Sequence, residues 1–439
     1  MVLSRREFLK ANAVATVSLA AKTRGINPRH TSDDRKPVKV GVVGTGNRGR
    51  SLLGILLDIK NVEITALCDI NKDHLAMAQD MVVKSGHKKP EGYSKDEYIF
   101  QEMMDRDDID AVIIATYWEW HAPMAVYGMK AGKYVGVEVP AAYTLEECWD
   151  LINTYEQTRV PCMMLENWSF RRDNLAVLNM IRKGLLGEIV HCHCAHSHDC
   201  IDHWFFDPET GEDRWAAKYL LQHNRDQYPT HQLGPVISWM DIGRGDYYDQ
   251  ITSTATDSFG INDYFIRRFG PDHPNAKRAY AQGDIVSTVV RTKKGKSIVI
   301  NYDMQLPRPY DNRWMIQGTR GIYNEQRNAV YLTDISPEYH KWESFDPYQE
   351  KHDHAWWKAL NEQAGQFSHG GTDYLEISLF VESVRNRTQT PIDVYDSVVM
   401  SVHGPLSEES IAKGSLPIKV PDFTRGKWKT RKPSFGINL

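Results

Sequence analysis

The chain has 439 residues and a formal net charge of -4, and 41% of its residues are hydrophobic. That length suits two or three domains with substantial cores, and the weakly acidic balance offers no basic surface, so we expect no nucleic-acid partner. Six cysteines in a chain of this length do not make a disulfide framework.

The first residues have the pattern of a twin-arginine export leader. Ser4-Arg5-Arg6-Glu7-Phe8-Leu9-Lys10 precedes a weakly apolar run from Ala11 to Ala21, which matches the export signal and its cleavage region. The run is shorter than the roughly 20 residues that a bilayer requires, so we expect no stable membrane span. We assign residues 1–33 to the leader and its linker, and expect the mature protein to be periplasmic or otherwise extracytoplasmic.

Residues 36–166 predict a doubly wound Rossmann domain with a parallel sheet. Alternation of buried apolar strands with helices is typical of that fold. The predicted strands are 38–44, 62–69, 110–116, 134–139 and 160–166. The predicted helices are 51–59, 73–85, one from about 123, and 145–158.

The first predicted strand leads into a glycine-rich loop that indicates a dinucleotide site. The Gly-x-Gly-x-x-Gly spacing is found in Gly44-Thr45-Gly46-Asn47-Arg48-Gly49, and such a turn places a pyrophosphate at a helix N-terminus. Asp69 follows at the end of the second strand, where a carboxylate accepts hydrogen bonds from the adenosine ribose and repels a 2′-phosphate. The pattern favours NAD over NADP, although Arg48 is a residue type that can bind a 2′-phosphate.

Residues 167–413 predict an α+β domain with an open, mostly antiparallel sheet, because many strands follow one another with little helix between them. The predicted strands are 187–198, 253–260, 285–292, 297–302, 314–318 and 321–324. The predicted helices are 173–183, 373–385 and 393–413. Residues 414–439 are expected to form a basic C-terminal tail.

A dense histidine and cysteine segment, His191–Cys200, lies within this domain. Strand alternation would place Cys192, Cys194, His196 and His198 on one face. Same-face neighbours on a strand lie about 7 Å apart, too far to share one zinc ion with bonds of about 2.0–2.3 Å. We therefore expect no metal here, but a strand whose end reaches the substrate cleft.

Several short motifs point to one family. They are Gly46-Asn47-Arg48-Gly49, Trp118-Glu119-Trp120-His121, Glu138-Val139, Glu166-Asn167, Arg171-Arg172-Asp173, Tyr228-Pro229-Thr230-His231 and Pro307-Arg308-Pro309-Tyr310-Asp311. Together they resemble glycoside hydrolase family 109, the NAD-dependent α-N-acetylgalactosaminidases, within the glucose–fructose oxidoreductase / inositol dehydrogenase / MocA superfamily. Ordinary dehydrogenases of that superfamily usually carry Glu-Lys-Pro where this chain has Glu138-Val139-Pro140.

The resemblance implies a set of site residues. For NAD they are the glycine loop with Asn47 and Arg48, then Asp69, Trp118, Trp120, His121, Glu138, Val139, Asn167 and Tyr228. For substrate they are His196, the four residues Tyr228, Pro229, Thr230 and His231, and Tyr310. Of these, His231, Tyr228 and Tyr310 are the implied catalytic residues.

The resemblance also implies a redox-neutral glycosidase acting on a small glycoside or oligosaccharide, in a homo-oligomer. The sugar is oxidised at C3, the aglycone is eliminated, water adds, and the sugar is reduced again. His231 is expected to handle the C3 hydroxyl proton, because imidazole titrates near neutrality. Tyr228 is expected to take the C2 proton or to polarise the ketone, and Tyr310 to position the substrate.

Two departures from the family pattern leave the sugar open. His196 stands where the family tends to have a substrate-contacting tyrosine, and Ala216 where it tends to have an arginine. One alternative function is an exported sugar oxidoreductase, a 3-dehydrogenase or transhydrogenase, with tightly bound NAD(P). Another is a non-catalytic sugar-binding protein that retains NAD. Val139 in place of lysine argues against the first, and the Tyr228–His231 motif against the second.

Overall fold

In a computed structural model of the chain, the structure describes residues 36–360 and 368–437. The export leader predicted for residues 1–33 lies outside the described residues. Within those two ranges, no helix is long and apolar enough to cross a membrane. The described residues form two domains, each built on its own sheet.

The N-terminal domain is the predicted parallel Rossmann sheet. Its strands are β1 (Val38–Val43), β2 (Val62–Cys68), β3 (Glu91–Tyr93), β4 (Ala111–Ile114), β5 (Tyr134–Val137) and β6 (Cys162–Met164). They pair in parallel in the order β3-β2-β1-β4-β5-β6. The order reverses between β1 and β4, and ligands of such sheets bind beyond the carboxyl ends of the strands at that point.

Helices cover both faces of this sheet. They are α1 (Asn47–Asp58), α2 (Lys72–Lys84), α3 (Phe100–Met104), α4 (Trp118–Lys130) and α5 (Leu145–Thr158). The prediction that a helix starts near Pro123 is wrong, because α4 begins at Trp118 and contains Pro123. A proline inside a helix forfeits one backbone hydrogen bond, and burial of the Trp118 ring among other aromatic side chains offsets that loss.

The second domain has a nine-stranded sheet. Its strands are β7 (Ile189–Ser197), β8 (Tyr248–Ala255), β9 (Ile285–Thr292), β10 (Ser297–Asp303), β11 (Met315–Gly318), β12 (Gly321–Asn324), β13 (Ala329–Leu332), β14 (Glu343–Ser344) and β15 (Ile418–Lys419). The strand order is β14-β13-β12-β11-β7-β10-β9-β8-β15. Only the β7–β10 pair among these described strands is parallel, so the prediction of a mostly antiparallel sheet is confirmed.

The helices of this domain pack on one face of the sheet and against the first domain. They are α6 (Arg172–Arg182), α7 (Ala217–Gln222), α8 (Thr230–Trp239), α9 (Gly260–Phe269), α10 (Asp346–His352), α11 (Ala355–Ala359), α12 (Thr372–Asn386), α13 (Val394–Ser401) and α14 (His403–Ala412). Short turns of 3₁₀ helix lie at Asn167–Phe170, Pro274–Ala276, Ser368–Gly371 and Lys427–Lys429, and one π turn at Ile201–Phe205.

Three differences from the sequence predictions are local. The strand predicted at 253–260 is shifted, because β8 ends at Ala255 and α9 starts at Gly260. The helix predicted at 393–413 is two helices that meet at Val402. The segment from 414 to 437 is integrated into the domain rather than extending as a tail, since β15 pairs with β8 and the Trp428 and Phe435 rings are buried.

Candidate active site

The glycine loop between β1 and α1 has the shape that a pyrophosphate requires. Gly44 has a φ of +82°, and a Cβ added there would lie 2.3 Å from the Ala115 carbonyl oxygen. A Cβ added at Gly49 would lie 1.9 Å from the Gly44 carbonyl oxygen, whereas one at Gly46 would meet nothing within 4 Å. The three glycines therefore allow a tight turn, close packing of α1, and an open backbone face, and the loop fits NAD.

Asp69 lies beside this loop at the end of β2. The Thr45 amide and hydroxyl donate to Asp69 Oδ2 at 2.7 and 3.0 Å, and the Asn71 amide donates to Oδ1 at 2.8 Å. These bonds fix the carboxylate where the adenosine ribose is expected. Its role in selecting NAD stays a prediction.

Arg48 faces the other domain. Its Nε lies 2.6 Å from Glu138 Oε1, and its Nη1 lies 2.7 Å from Asp373 Oδ2. Asp373 also accepts from Asn167 Nδ2 at 2.6 Å and lies 2.9 Å from His369 Nδ1. Burial alone would raise the pKa of the Asp373 carboxyl, but the His369 and Arg48 contacts outweigh burial and lower that pKa. Arg48 is thus engaged in an ion-pair network rather than turned towards a 2′-phosphate.

Aromatic side chains form one wall of the cleft around Trp118. Its ring centroid lies 4.5 Å from that of Tyr219, 5.3 Å from Trp215, 5.9 Å from Tyr228 and 6.2 Å from Trp204. Aromatic faces of this kind suit the apolar faces of a sugar or a nicotinamide ring. Of the Trp-Glu-Trp-His motif, the first residue, Trp118, therefore belongs to this wall.

The other two residues predicted from this motif lie behind the wall. The Trp120 ring packs edge-on against Tyr98, with centroids 5.6 Å apart. The His121 ring nitrogens lie 2.8 Å from the Pro140 carbonyl oxygen and 3.1 Å from that of Thr116, and the side chain is buried. His121 thus ties the start of α4 to the chain after β5, and a direct cofactor contact by either residue stays a prediction.

His231 is paired with a buried carboxylate. Its Nδ1 lies 3.0 and 2.9 Å from the two carboxylate oxygens of Glu166, whose side chain is 0% exposed. The Trp168 amide donates to Glu166 Oε1 at 3.1 Å as well. Among the described residues no group bonds to His231 Nε2, so that nitrogen is available to substrate. The family motif at 166–167 pointed to Glu166, but its role as the partner of His231 was not predicted.

The side chains predicted to hold and transform the substrate are brought together around His196. The His196 ring centroid lies 5.1 Å from that of Tyr228, 5.4 Å from His231 and 5.6 Å from Tyr310. His196 is 1% exposed, and within the described part of the chain neither ring nitrogen has a hydrogen-bond partner. Burial, with His231 and His198 nearby, lowers the pKa of His196 well below its usual value.

Tyr228 lies at the start of α8 with Pro229 and Thr230. Burial, together with the negative charges of Glu138 and Glu166, raises the pKa of its phenol well above the usual value. The phenol is therefore neutral and acts as a hydrogen-bond donor. Pro229 and Thr230 are buried and turn the chain so that Tyr228 and His231 share one side, with ring centroids 4.9 Å apart.

Val139, where ordinary dehydrogenases of the superfamily usually carry lysine, and Ala216, where family 109 tends to have arginine, carry no charge. Val139 is buried directly after β5, so no ammonium group stands there. Ala216 is also buried, and its amide donates to the Trp204 carbonyl oxygen at 3.3 Å. The neighbouring Trp215 ring stacks on Tyr117, with centroids 5.7 Å apart. Aromatic surface thus occupies the region where an arginine was expected from the family.

Trp168 was not predicted as a site residue. Its ring lies 5.8 Å from that of His231 and 5.9 Å from that of Tyr310. On its other side a groove of about 880 Å³ is lined also by Arg171, Gln349 and Trp357. The groove adjoins the side chains predicted to be catalytic through Trp168.

The argument against a metal site rests on the spacing of side chains along a strand, so it applies only to residues within β7. β7 ends at Ser197, and the π turn Ile201–Phe205 folds the chain back. Potential ligand atoms of His198, Cys200 and His203 consequently lie within 4.8 Å of one another. The spacing prediction concerned Cys192, Cys194, His196 and His198 on one strand face, and it did not consider Cys200 and His203, which lie beyond the regular strand.

Comparisons with known proteins cover both domains. Residues 38–166 match the oxidoreductase family with an NAD-binding Rossmann fold, and residues 170–430 match the C-terminal domain of glycosyl hydrolase 109. An alpha-N-acetylgalactosaminidase of Tannerella forsythia is 38% identical over 99% of both chains. A glycosyl hydrolase family 109 protein of Solibacter usitatus is 39% identical over 98% of this chain and 99% of its own.

Solved structures show the same fold at low identity. A levoglucosan dehydrogenase in complex with NADH and L-sorbose has a TM-score of 0.65 and 19% identity, over 88% of this chain and 100% of its own. A scyllo-inositol dehydrogenase from Lactobacillus casei with bound NAD(H) and scyllo-inositol has a TM-score of 0.62 and 14% identity, over 88% and 99%.

Proposed function

Because the chain belongs to glycoside hydrolase family 109 and is an NAD-binding glycosidase, we propose that it cleaves α-N-acetylgalactosaminide-like glycosides by a redox-neutral mechanism. The observation that carries this proposal is the His231–Glu166 pair, which faces Tyr228 and His196 in one cleft. The name of the Tannerella forsythia relative supports the sugar class.

The residues that would hold NAD are the glycine loop, Asp69 and the segments of the chain that directly follow β4 and β5. The cofactor supplies reversible removal of hydride from the sugar C3. His231 accepts the C3 hydroxyl proton through Nε2, while Glu166 fixes the ring orientation and stabilises the imidazolium. The neutral Tyr228 phenol donates a hydrogen bond to the oxygen as it becomes a ketone. Of the two roles predicted for Tyr228, its raised pKa favours this one.

The carboxylates of the cleft support elimination over the usual hydrolase mechanism. That mechanism needs a free pair of carboxyl groups on either side of the glycosidic oxygen. Here Glu166 is bonded to His231, and Glu138 and Asp373 are both bonded to Arg48. A C3 ketone acidifies the C2 proton, and transfer of that proton to solvent water breaks the bond between C1 and the aglycone oxygen, which takes a proton from solvent, so such a pair is not needed. Water then adds at C1 before the sugar is reduced.

Turnover without an external oxidant tests the proposal. The purified protein should release aglycone from aryl α-N-acetylgalactosaminide over many cycles with no added acceptor, and product formed in D₂O should carry deuterium at C2. His231→Ala should lower the rate on the order of 10²–10⁴-fold with NAD still bound. His193→Ala is the matched control, because that imidazole bonds to Asn301 Oδ1 on the sheet at 2.9 Å.

Two results would contradict the mechanism. Reaction that stops after one equivalent of NADH would identify the sugar oxidoreductase alternative. Aglycone release with the C2 proton fully retained in D₂O would show that the bond breaks without elimination.

We also propose that the protein is exported by the twin-arginine route. The support is the sequence Ser4-Arg5-Arg6-Glu7-Phe8-Leu9-Lys10 before a short apolar run. Replacement of both Arg5 and Arg6 by lysine should leave the precursor in the cytoplasm. Equal secretion of that double variant and the wild type would refute this route.

A homo-oligomer formed through the second-domain sheet is a further part of this proposal. Val190 of β7 and Val289 of β9 are exposed on that sheet, and exposed apolar residues on an open sheet face favour association. Sedimentation of the wild type and of Val289→Glu should show a dimer or larger assembly that the substitution weakens. A wild type that sediments as a monomer would contradict it.

A further inference from the structure

We propose that His198, Cys200 and His203 form a binding site for a zinc-class divalent ion at the rim of the substrate cleft. Ligand atoms of all three lie within 4.8 Å of one another. A tetrahedral zinc site has bonds of about 2.0–2.3 Å, which place its ligand atoms about 3.3–3.8 Å apart. Side-chain rotation that moves the imidazole nitrogens by about 1 Å closes that difference.

The backbone already holds the three residues in place. The His198 amide donates to the Asp303 carbonyl oxygen at 2.8 Å, and the Cys200 amide to that of Met304 at 3.0 Å. The Trp204 amide donates to the Cys200 carbonyl oxygen at 3.0 Å. β10 and the π turn therefore fix the spacing, and only side-chain torsions need to change when an ion binds.

The polar atoms of the three side chains are unused by the protein. Among the described residues none of the His198 and His203 ring nitrogens, nor Cys200 Sγ, has a hydrogen-bond partner. Packing alone would explain the closeness of the His198 and His203 rings, whose centroids lie 5.1 Å apart. Cys200 is buried, His198 half-buried and His203 exposed, so an ion that enters from solvent can reach two imidazoles that converge on a buried thiol.

The chemical types of the three ligand atoms determine which ion the site prefers. Two imidazoles and one thiolate suit zinc and similar borderline-soft ions, and three protein ligands leave a fourth position open. Binding releases the thiol proton of Cys200 to solvent as the sulfur–metal bond forms. The His198 ring lies 4.9 Å from Tyr310 and 5.8 Å from His196, and His203 is exposed. The trio therefore adjoins side chains that are predicted to hold the substrate.

Metal binding by untagged protein tests the site directly. Calorimetry with Zn²⁺ should show one ion per chain, and Co²⁺ should give a thiolate-to-cobalt charge-transfer band. Cys200→Ser should abolish the band and weaken Zn²⁺ binding at least about 100-fold. Cys194→Ser is its matched control, because Cys194 is an equally buried thiol that lies on β7, six residues before Cys200. His203→Asn and the control His193→Asn repeat the comparison at less buried positions.

Unchanged circular dichroism and thermal melting would show that each variant folds. The absence of stoichiometric Zn²⁺ binding in the folded wild type would overturn the site, and so would equal binding by the Cys200→Ser and Cys194→Ser variants. Neither readout uses turnover, so failure of this site and failure of the proposed function are distinguishable.

Discussion

The buried carboxyl of Asp226 gives the sharpest test of the electrostatics beneath the site. It precedes Tyr228 in the chain, accepts the Tyr228 amide at 3.1 Å, and is also bonded by Gln232. Burial raises its pKa from 3.8 to about 7. His403 Nε2 lies 3.5 Å from Asp226 Oδ2, and burial lowers the pKa of His403 to about 3. Near pH 5 both groups are therefore uncharged.

The raised pKa means that the folded protein holds this proton more tightly than the unfolded chain. The contribution of Asp226 to the free energy of unfolding should therefore fall as pH rises from about 4 to about 7, by about 1.4 kcal/mol per pH unit, while the lowered pKa of His403 acts in the opposite direction in wild type and variant alike. Over about three units the loss is on the order of 4 kcal/mol. Asp226→Asn removes this titration and keeps the acceptor for the Tyr228 amide. After the Gln232 side-chain amide turns over, the new amide can donate to Gln232 Oε1, which in the wild type is buried without a partner among the described residues.

Denaturant unfolding of wild type and Asp226→Asn from pH 4 to pH 8 measures the effect. The variant should be about as stable as the wild type at pH 4 and more stable by up to about 4 kcal/mol at pH 8. Asp272→Asn is the control, because the Asp272 side chain is 96% exposed and its loss should leave the wild-type pH dependence unchanged. Parallel curves for wild type and Asp226→Asn across the whole range would refute the reasoning.

Four further substitutions separate the roles of the cleft residues. Glu166→Gln should lower turnover on the order of 10²–10⁴-fold with NAD content unchanged, and full activity would exclude the pairing role. Asp69→Ala should be purified with less NAD and regain part of its activity when NAD is added. Asp373→Asn should lower the free energy of unfolding on the order of 3 kcal/mol, because Arg48 loses a buried partner, and wild-type stability would contradict this. His196→Tyr should raise the rate on α-N-acetylgalactosaminide relative to other aryl glycosides, and an unchanged ratio would show that His196 does not set the sugar.

Helices and strands that are determined by residues within or next to them were predicted correctly from the sequence. α5 has the predicted bounds because Thr144 and Glu147 form a capping box at its start. β9 likewise has the predicted bounds, since its side chains alternate between the two faces of the sheet. The π turn at Ile201–Phe205 and α7 were missed. The segment just before the π turn is held by backbone hydrogen bonds to Asp303 and Met304, about 100 residues further along the chain. Sequence periodicity does not reveal such distant contacts.

The same distinction applies to the site. The three-residue spacing of Tyr228 and His231 is a local feature, and it is enough to place both side chains on one side of the start of α8. The partner of His231 could not be found this way, because Glu166 lies 65 residues earlier and reaches it only through the fold. The metal-capable trio was missed for a different reason, since strand spacing was extended past Ser197, where β7 ends.

The Arg48 network connects the cofactor site to the domain arrangement. Arg48 begins α1 next to the glycine loop, and Asp373 lies in the first turn of α12, which packs against α1. Any motion that separates these two helices must break an ion pair whose acidic partner is fully buried. An ion pair that holds the two domains together would favour retention of the dinucleotide between turnovers, and the proposed export and redox-neutral cycle would require that retention because no cytoplasmic pool would be at hand to replace NAD.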